Sequence, residues 1–315
     1  FCCFLFWIFQ LPALPLRPIT KHMAGQLKEV RNRIKSVQST QQITKAMKMV
    51  SAAKLRRAQD SILQMRPYAN KLQDMLSNIV SNSEAGAGMS LAVERPVEKV
   101  LLIIVTSDRG LCGAFNTNVI KLAKSTIAEK YATQQKKGNI TVWGIGKKGY
   151  EYFSKNKFNT TDTYKDIFLN LTFENVQQAS QAAMKAFAEK QFDVVEIVYS
   201  QFKNAATQVF TVERFLPIPK SEKKAGDTKA DFIYDPSKEQ LIAELMPKIL
   251  NTQLYKAVLD SNASEHGARM TAMDKASENA NEMLRTLKIS YNRARQAAIT
   301  TELTEIVSGA AALQG

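Results

Sequence analysis

Two stretches of the chain, one near each end, place apolar or small side chains three or four residues apart. In the first, from about residue 24 to 82, the pattern slips in its middle and resumes at Leu55. In the second, from about residue 236 to the end, alternation by four and three is kept over Met270–Ala298. This spacing is typical of a helix that packs along one seam against another helix. The pattern therefore predicts a long helix at each end of the chain.

Between these helices the pattern changes to short apolar runs separated by amphipathic stretches. The run "VLLIIV" is continuously apolar, as expected of a strand buried on both faces. Strands that alternate with helices at this spacing predict a parallel or mixed sheet. The predicted strands are 100–105, 140–146, 193–202 and an added strand at 207–218, and the predicted helices between them are 117–131 and 174–190.

These elements predict an α/β fold in which the two end helices form a long antiparallel coiled coil and an inserted Rossmann-like α/β domain acts as the turn between them. Neither apolar seam can stay in water, so each helix is expected to pack on the other. The predicted divisions are an N-terminal extension at 1–23, the first coiled-coil helix at 24–82, the α/β domain at 97–218, a surface loop at 219–235 and the second coiled-coil helix at 236–315.

The first 22 residues differ from the rest of the chain. They are apolar but interrupted by Pro12, Pro15 and Pro18, and no basic segment precedes the apolar run as it would in a signal peptide. Met23 follows and opens the first helical pattern. We interpret this segment as an upstream extension from a misplaced start, and a remnant of a targeting sequence is the alternative.

Composition adds a net charge of +14, which indicates an acidic protein surface, a nucleic acid or anionic lipid as a partner, with a solvated basic face as the alternative. The first helix carries a dense basic run opposed only by Glu29, without the interleaved aromatic residues typical of single-stranded nucleic-acid binding. The residues alone leave two partners open: the phosphates of a nucleic acid or an acidic protein collar. The basic residues are Lys28, Arg31, Arg33, Lys35, Lys45, Lys48, Lys54, Arg56 and Arg57.

Candidate chemistry is sparse. Three cysteines and two histidines exclude a disulfide framework and a His-rich metal site. Cys112 is expected to be a small buried residue, because a nucleophilic cysteine needs a nearby histidine and both histidines lie in the end regions. In the same segment, "TSDRGLCGAFN", we expect Asp108 and Arg109 to brace the turn by a local ion pair.

The segment "GIGKKG" at 144–149 fits the G-x-G-x-x-G pattern of dinucleotide-binding turns, with Asp162 and Asp166 at a suitable distance. Three features oppose that interpretation. The segment follows the second strand rather than the first, Lys147 and Lys148 crowd the helix start, and the helix is short. A tight strand-to-helix turn that requires glycine is the favoured interpretation. A Rossmann-type enzyme remains as a third hypothesis.

Three separate segments resemble one protein family. They are "IKSVQSTQQITKAMKMVSAAKLRRAQ" (34–59), "SDRGLCGAFN" (107–116) and the stretch from "ASEHGARM" to "ITTELTEIVSGAAAL" (263–313). In this order they closely resemble the gamma subunit of the rotary F-type ATP synthase, and the first looks more like a bacterial member than a mitochondrial one. The resemblance extends over about residues 24–315.

The resemblance implies a central-stalk rotor, which couples rotation of the membrane c ring to ATP synthesis or hydrolysis at the beta subunits. The implied partners are three alpha and three beta subunits around the coiled coil, the epsilon subunit and the c ring. The implied location is the bacterial inner membrane, peripheral and on the cytoplasmic side, with the matrix side of the mitochondrial inner membrane as the alternative. No catalytic residue, cofactor or metal is expected in this chain.

Residues that contact the beta subunit are also implied by the resemblance. Arg295 and Gln296, in "RARQ", match the family's polar contact with a loop of beta, and Thr300 and Glu302 match neighbouring positions. Met47, with Lys48 beside it, matches a contact near an acidic loop of beta, which the charge of Lys48 suits. The small residues of "GAAALQG" (309–315) predict a slim tip that turns in an apolar sleeve.

Overall fold

The computed structural model describes residues 19–81, 91–205, 207–218 and 238–314. Most of the predicted extension and the whole predicted surface loop 219–235 lie outside these residues. The elements are helices α1 (Ile19–Ser81), α2 (Phe115–Lys130), α3 (Ala132–Lys136), α4 (Lys147–Lys155), α5 (Phe173–Ala188) and α6 (Lys238–Gln314), strands β1 (Val100–Val105), β2 (Ile140–Ile145), β3 (Asn159–Thr161), β4 (Val194–Phe202) and β5 (Gln208–Leu216), and a 3₁₀ turn at Ile167–Leu169.

The chain divides into two compact units. One, here the terminal unit, combines Phe1–Thr44 with Ala276–Gly315, and the other, the central unit, comprises Lys45–Lys275. Both long helices contribute to both units, since α1 and α6 each run past the division. Prolines do not end either helix, because Pro67 lies within α1 and Pro247 within α6.

The central unit is built on a five-stranded sheet in the order β3-β2-β1-β4-β5. The first four strands are parallel, with Val100 opposite both Ile140 and Val194, and β5 pairs antiparallel with β4. This is the strand order of a Rossmann-like sheet with an added antiparallel edge. The α/β fold class, the four predicted strands and the two helices between them are confirmed.

Helices cover both faces of this sheet, which explains why β1 is apolar at every position. Leu101, Ile103 and Val105 pack with α5 and with the first part of α6, whereas Val100, Leu102 and Ile104 pack with α2 and α4. All six β1 side chains are buried. A third apolar cluster joins α1 to α6 and the end of β4 through Leu55, Ala58, Ile62, Leu259, Ala263 and Phe202.

In the terminal unit the two long helices run antiparallel. Arg31 contacts Tyr291 and Thr44 contacts Ser277, so the residue number falls along α6 as it rises along α1. The coiled-coil part of the predicted fold is confirmed, and the predicted seam of α6 is the covered side. Its members in this unit are Ser277, Ala280, Leu284, Leu287, Tyr291, Ala294 and Ala298.

The predicted slip in the first seam is not a break in the packing. The 3-4 spacing continues through polar residues, with Gln41 half-buried and Thr44 buried in the terminal unit and Ser51 buried in the central unit. Thr44 and Ser277 share a hydrogen bond of 2.8 Å between their hydroxyls, and Gln41 donates to Asn281. An apolar-only pattern overlooked this stretch because a buried polar side chain can occupy a seam once it is hydrogen-bonded.

Candidate functional site

The segments that carry the family resemblance contact one another within the central unit. Arg269 of α6 donates through Nη2 to the carbonyl oxygens of Arg109 at 3.0 Å and Gly110 at 3.2 Å, in the turn that follows β1. The other guanidinium nitrogen, Nη1, lies 2.6 Å from Oε1 of Glu265, one helical turn earlier. We call this arrangement of Glu265, Arg269 and the two carbonyls the Arg269 clamp. It fastens the turn to the long helix.

The clamp is buried, and its electrostatics follow from that. Both side chains of the Glu265–Arg269 pair are only 10% exposed. Burial raises the pKa of the Glu265 carboxyl, while the neighbouring Arg269 charge opposes the rise. Burial, and then the charge of Arg269, lowers the pKa of His266 to about 4, so this imidazole is neutral at physiological pH. The clamp is thus a satisfied structural network rather than a proton-transfer site.

Cys112 is buried in the same turn, as predicted. Its sulfur accepts a hydrogen bond from Nδ2 of Asn116 at 3.2 Å and lies 3.7 Å from the hydroxyl of Ser107. The predicted ion pair between Asp108 and Arg109 is wrong. Asp108 Oδ1 instead accepts from the backbone N–H of Lys147 at 3.2 Å, because the start of α4 supplies an unpaired amide beside it.

The "GIGKKG" turn closes on the end of β1. The first three amides of α4 donate to protein acceptors: Lys147 to Asp108, Lys148 to the carbonyl of Ser107 at 3.1 Å and Gly149 to the hydroxyl of Thr106 at 2.8 Å. A phosphate at a helix N-terminus would use these same amides. Asp166, one of the two acidic residues at a suitable distance from this pattern, lies 3.0 Å from the ammonium of Lys147. The contacts favour a structural turn over a dinucleotide site.

Glycine is required at two positions of this turn by close packing. Gly146 has a φ of 101°, and a Cβ there would lie 2.2 Å from the carbonyl oxygen of Thr106. A Cβ at Gly149 would lie 2.8 Å from the hydroxyl oxygen of the same threonine. The G-x-G-x-x-G spacing therefore follows from the close approach of the helix start to β1.

Of the residues expected to contact the beta subunit, Met47 and Lys48 belong to the central unit. Both are half-buried beside the helix seam. The Lys48 ammonium lies 2.5 Å from Oδ1 of Asp274 in α6, with 41% and 46% of the two side chains exposed. Lys48 thus has a carboxylate partner in its own chain. The next two residues, Met49 and Val50, are 67% and 57% exposed and point away from the seam.

The remaining expected contact residues, Arg295, Gln296, Thr300 and Glu302, belong to the terminal unit and are all exposed on α6. The hydroxyl of Thr300 donates to the carbonyl oxygen of Gln296 at 3.0 Å. Among residues with described side chains, neither Arg295 nor Glu302 forms an ion pair. Their charges are therefore available to a partner.

Large apolar side chains accompany these polar ones on the outward side of α6, and sequence reasoning missed them. Ile299 is 48% exposed, Leu303 58%, Ile306 68% and Val307 67%. Leu313, close to the end, is 90% exposed. Their exposure could have been predicted from the sequence, because these residues fall outside the four-three seam. Instead, the prediction of a slim tip relied on the small residues alone.

The basic run of α1 is solvent-accessible. All of its members are exposed except Lys48, which is half-buried. Within the described parts of the chain, no helix is long and apolar enough to cross a membrane. The same residues contain no group of three or more His, Cys, Asp or Glu side chains suited to hold a metal ion.

Comparison with known proteins gives one consistent result. A family profile described as ATP synthase matches residues 26–313. The ATP synthase gamma chain of Cytophaga hutchinsonii is 54% identical over 290 residues, which cover 91% of this chain and 98% of that one. The gamma chain of Chlorobaculum parvum is 48% identical over 288 residues, covering 91% and 99%. Nothing in these matches supports the nucleic-acid alternative.

Solved structures share the fold. The match to the Euglena gracilis mitochondrial ATP synthase OSCP/F1/c-ring structure has a TM-score of 0.65 at 21% identity and covers 92% of this chain and 95% of that one. The match to the rotor of the same enzyme has a TM-score of 0.61 at 19% identity, covering 88% and 99%. With the family match over most of the sequence and the coiled coil with its inserted sheet, the chain belongs to the ATP synthase gamma chain family.

Proposed function

We infer that this chain is the central-stalk rotor subunit of a proton-translocating ATP synthase, where it couples rotation of the membrane c ring to ATP synthesis or hydrolysis. The observation that carries this function is the family match over residues 26–313, together with the two-helix shaft of the terminal unit. A rotor must transmit torque along its length. Two antiparallel helices with a continuous seam are stiffer than either helix alone.

The alpha and beta subunits, three of each, form the collar around the shaft in this proposal, with the epsilon subunit and the c ring as the other partners. The outward side of α6 suits such a collar. It combines Arg295 and Gln296 with exposed aliphatic side chains such as Leu303 and Ile306. Apolar contact without deep interlocking permits sliding, while a few polar contacts transmit force.

Met47, Lys48, Arg295, Gln296, Thr300 and Glu302 are the proposed contacts with the beta subunit. The charge of Lys48 and the 41% exposure of its side chain support this assignment. When an acidic loop approaches, Lys48 must either bind both carboxylates or leave Asp274 for a carboxylate of the loop. Such an exchange between two carboxylates is nearly neutral in free energy, since one exposed ion pair replaces another. A contact of this kind can form and break as the rotor turns.

Catalysis is assigned to the beta subunits and not to this chain. Supporting this, the helix-start amides of the "GIGKKG" turn are occupied by Asp108, Ser107 and Thr106. The complex is peripheral to the bacterial plasma membrane, on its cytoplasmic side. The bacterial relatives support that location.

Reconstitution tests the function directly. The full chain mixed with alpha and beta subunits from the same bacterium is expected to form a complex that hydrolyses ATP, while the chain alone does not. Failure to assemble, or assembly of a complex without hydrolysis, would refute the rotor assignment. Hydrolysis by the chain alone would refute the assignment of catalysis to beta.

Substitution tests the contact residues. Arg295→Ala and Gln296→Ala are each expected to lower ATP turnover of the assembled complex about tenfold, which corresponds to ~1.4 kcal/mol of lost contact. Arg293→Ala is the matched control, because Arg293 is an exposed arginine of the same helix with no assigned contact. Unchanged turnover in the two contact variants, or an equal loss in the control, would contradict the assignment.

A further inference from the structure

The hydrogen-bonded pairing of β1 with β4 stops before either strand ends. The two parallel strands are paired as far as Ile104 with Val198. β1 has one further residue, Val105, and β4 continues to Phe202. Past the last pair, the carbonyl oxygens of these buried strands need donors from another element, because a buried carbonyl without a partner costs free energy.

Helix α6 supplies those donors. The hydroxyl of Ser261 donates to the carbonyl oxygen of Val105 at 3.4 Å, and the hydroxyl of Ser264 donates to that of Ser200 at 3.2 Å. Both serines are buried. Residues three apart lie on the same side of a helix, so one side of α6 contacts the ends of both strands. The two hydroxyls therefore continue the hydrogen bonding at the point where the strand pairing stops.

This part of the sheet is its topological switch point. In the order β3-β2-β1-β4-β5, the chain runs from β1 out to β3 on one side and from β4 to β5 on the other. Open α/β sheets bind ligands outside the carboxyl ends of their strands, in the crevice at such a reversal. Here, α6 occupies the crevice between β1 and β4. The protein's own long helix takes the position that a ligand has in other sheets of this type.

The next turns of α6 contact the loops on both sides of the crevice. A Cβ at Gly267 would lie 3.2 Å from the carbonyl oxygen of Ala205, which belongs to the connection between β4 and β5. The hydroxyl of Thr271 lies 3.5 Å from the same oxygen. On the other side, the Arg269 clamp holds the turn after β1. We call residues 261–271 of α6 the switch-point joint.

Helix α1 contacts the same part of the sheet differently. Leu55, Ala58 and Ile62 form an apolar cluster with Phe202, and the exposed Arg66 donates to the carbonyl oxygen of Phe202 at 3.3 Å. Apolar contact has no preferred direction, so it opposes rotation of a helix only weakly. Hydrogen bonds from buried side chains to backbone carbonyls are directional. The contacts of α6 therefore resist rotation of the helix about its own axis.

We propose that the switch-point joint locks α6 to the sheet against torque, with Ser261 and Ser264 as positioning residues. The inference rests on the proposed function, because it requires the chain to be a rotor that carries torque. Force applied to the sheet of a rotor reaches the long helices only through the contacts between them. Apolar packing supplies most of the stability of this contact, and the directional hydrogen bonds supply its resistance to twisting.

The torsional stiffness of the rotor can be measured in a complex of the full chain with alpha and beta subunits. A bead is attached to the sheet side of the joint through Lys124→Cys, at an exposed position of α2. Cys2→Ser and Cys3→Ser remove two other thiols, and Cys112 is buried. The angular variance of the bead during the pauses between rotation steps is inversely proportional to the torsional stiffness.

The double variant Ser261→Ala/Ser264→Ala is expected to increase this variance about twofold, because it removes two directional contacts from a small set. Each single variant should give part of the increase, so the test stands if the double variant does not assemble. The rate of ATP hydrolysis should stay at the parent value, since the catalytic sites and the outward side of α6 are unchanged.

The attachment point provides a matched control. Lys248→Cys places the bead on an exposed position of α6 itself, so the load passes along the helix and not through the joint. There, the double serine variant should fluctuate like the parent. Phe153→Leu is the control for stability, because it truncates a buried side chain of α4. It should lower the melting temperature without increasing the variance at either attachment point.

Three results would overturn the joint: unchanged variance at Lys124→Cys in the serine variants, an equal increase at Lys248→Cys, or an equal increase caused by Phe153→Leu. Failure of the rotor function would give a different result, because the parent complex would then show no rotation driven by ATP. A parent complex that rotates, together with serine variants of unchanged variance, refutes the joint and supports the rotor.

Discussion

The same helix, α6, lies in two different environments. In the central unit no residue between 249 and 269 is exposed, because the sheet and α1 surround that segment. In the terminal unit, between 281 and 313, Leu284 is the one buried residue, and every position outside the seam is exposed except Thr301, which is half-buried. One stretch of helix is therefore part of a globular core, while the other has a single covered side.

The difference in burial sets what each segment can do. Where it is surrounded, α6 carries polar groups that hold neighbouring elements: Arg269 fastens the turn after β1, and Ser264 donates to the carbonyl of Ser200 at 3.2 Å. Where it is exposed, the outward side of α6 is left for other chains. An anchor requires many satisfied buried contacts, whereas a bearing surface requires few contacts of its own.

The largest expected effect comes from removing the Arg269 clamp, which anchors α6 in the central unit. Arg269→Ala leaves Glu265 as an uncompensated buried charge and frees the carbonyls of Arg109 and Gly110, so we expect a loss of about 3–5 kcal/mol in the free energy of unfolding. Urea denaturation followed by circular dichroism measures it. Lys248→Ala is the control, since the Lys248–Glu244 pair is exposed and its loss should cost under about 1 kcal/mol. Similar losses in the two variants would show that the clamp is not an anchor.

The second prediction concerns a buried acid in the same segment. Asp260 is 1% exposed, and its Oδ1 has no hydrogen-bond partner among the described residues. Burial raises the pKa of this carboxyl from 3.8 to about 6, with Arg66 of α1 and Lys256 of α6 opposing the rise and Glu213 of β5 adding to it. The folded chain then holds a proton that the unfolded chain releases between about pH 4 and pH 6.

Because the folded state binds the extra proton, the contribution of Asp260 to stability is largest below pH 4 and falls as pH rises through 6. Asp260→Asn removes this dependence and should raise the free energy of unfolding at pH 7 by roughly 2–3 kcal/mol. Urea titrations at pH 4.5 and pH 7.5 measure the difference between variant and parent. A difference that does not grow with pH would contradict the assignment of a raised pKa.

The smallest expected effect concerns the terminal unit, where α6 has one covered side and one outward side. Leu284→Ala opens the seam of the terminal unit and should cost ~2 kcal/mol, below the usual range for a full core because only one partner helix covers the site. Leu303→Ala, which truncates an exposed leucine of the same helix, should change stability by less than about 0.5 kcal/mol. Amide hydrogen exchange over 281–300 measures local opening in both. Faster exchange in Leu303→Ala than in Leu284→Ala would reverse the assignment of covered and outward sides.

Much of the fold could be predicted from the sequence because periodicity reports burial. The continuous run 100–105 became a strand covered on both faces, and the alternation from Met270 to Ala298 became the seam of α6. Short elements were missed. β3 has three residues and α3 has five, which are too few to show a repeating pattern of apolar positions. The polar seam residues Gln41, Thr44 and Ser51 were also missed, since a pattern of apolar residues cannot represent a hydrogen bond to a distant helix.

The candidate contact surface was predicted in part. Arg295, Gln296, Thr300 and Glu302 came from the family resemblance, and the structure shows that all four are exposed. That they touch the beta subunit stays a prediction, as do Met47 and Lys48. The outward aliphatic residues needed the structure, because exposure of a leucine or isoleucine depends on which side of the helix its neighbours cover.

By itself, the sequence determined the two long helices, the α/β insertion and the family, because each depends on residue spacing along the chain. Only the tertiary structure decided which residues far apart in the chain contact one another. It brought Arg269 to the carbonyls of Arg109 and Gly110, closed the "GIGKKG" turn on Thr106, and placed Ser264 against the carbonyl of Ser200. The physical reason is that contacts between residues far apart in the chain depend on strand order and helix docking, which local periodicity does not encode.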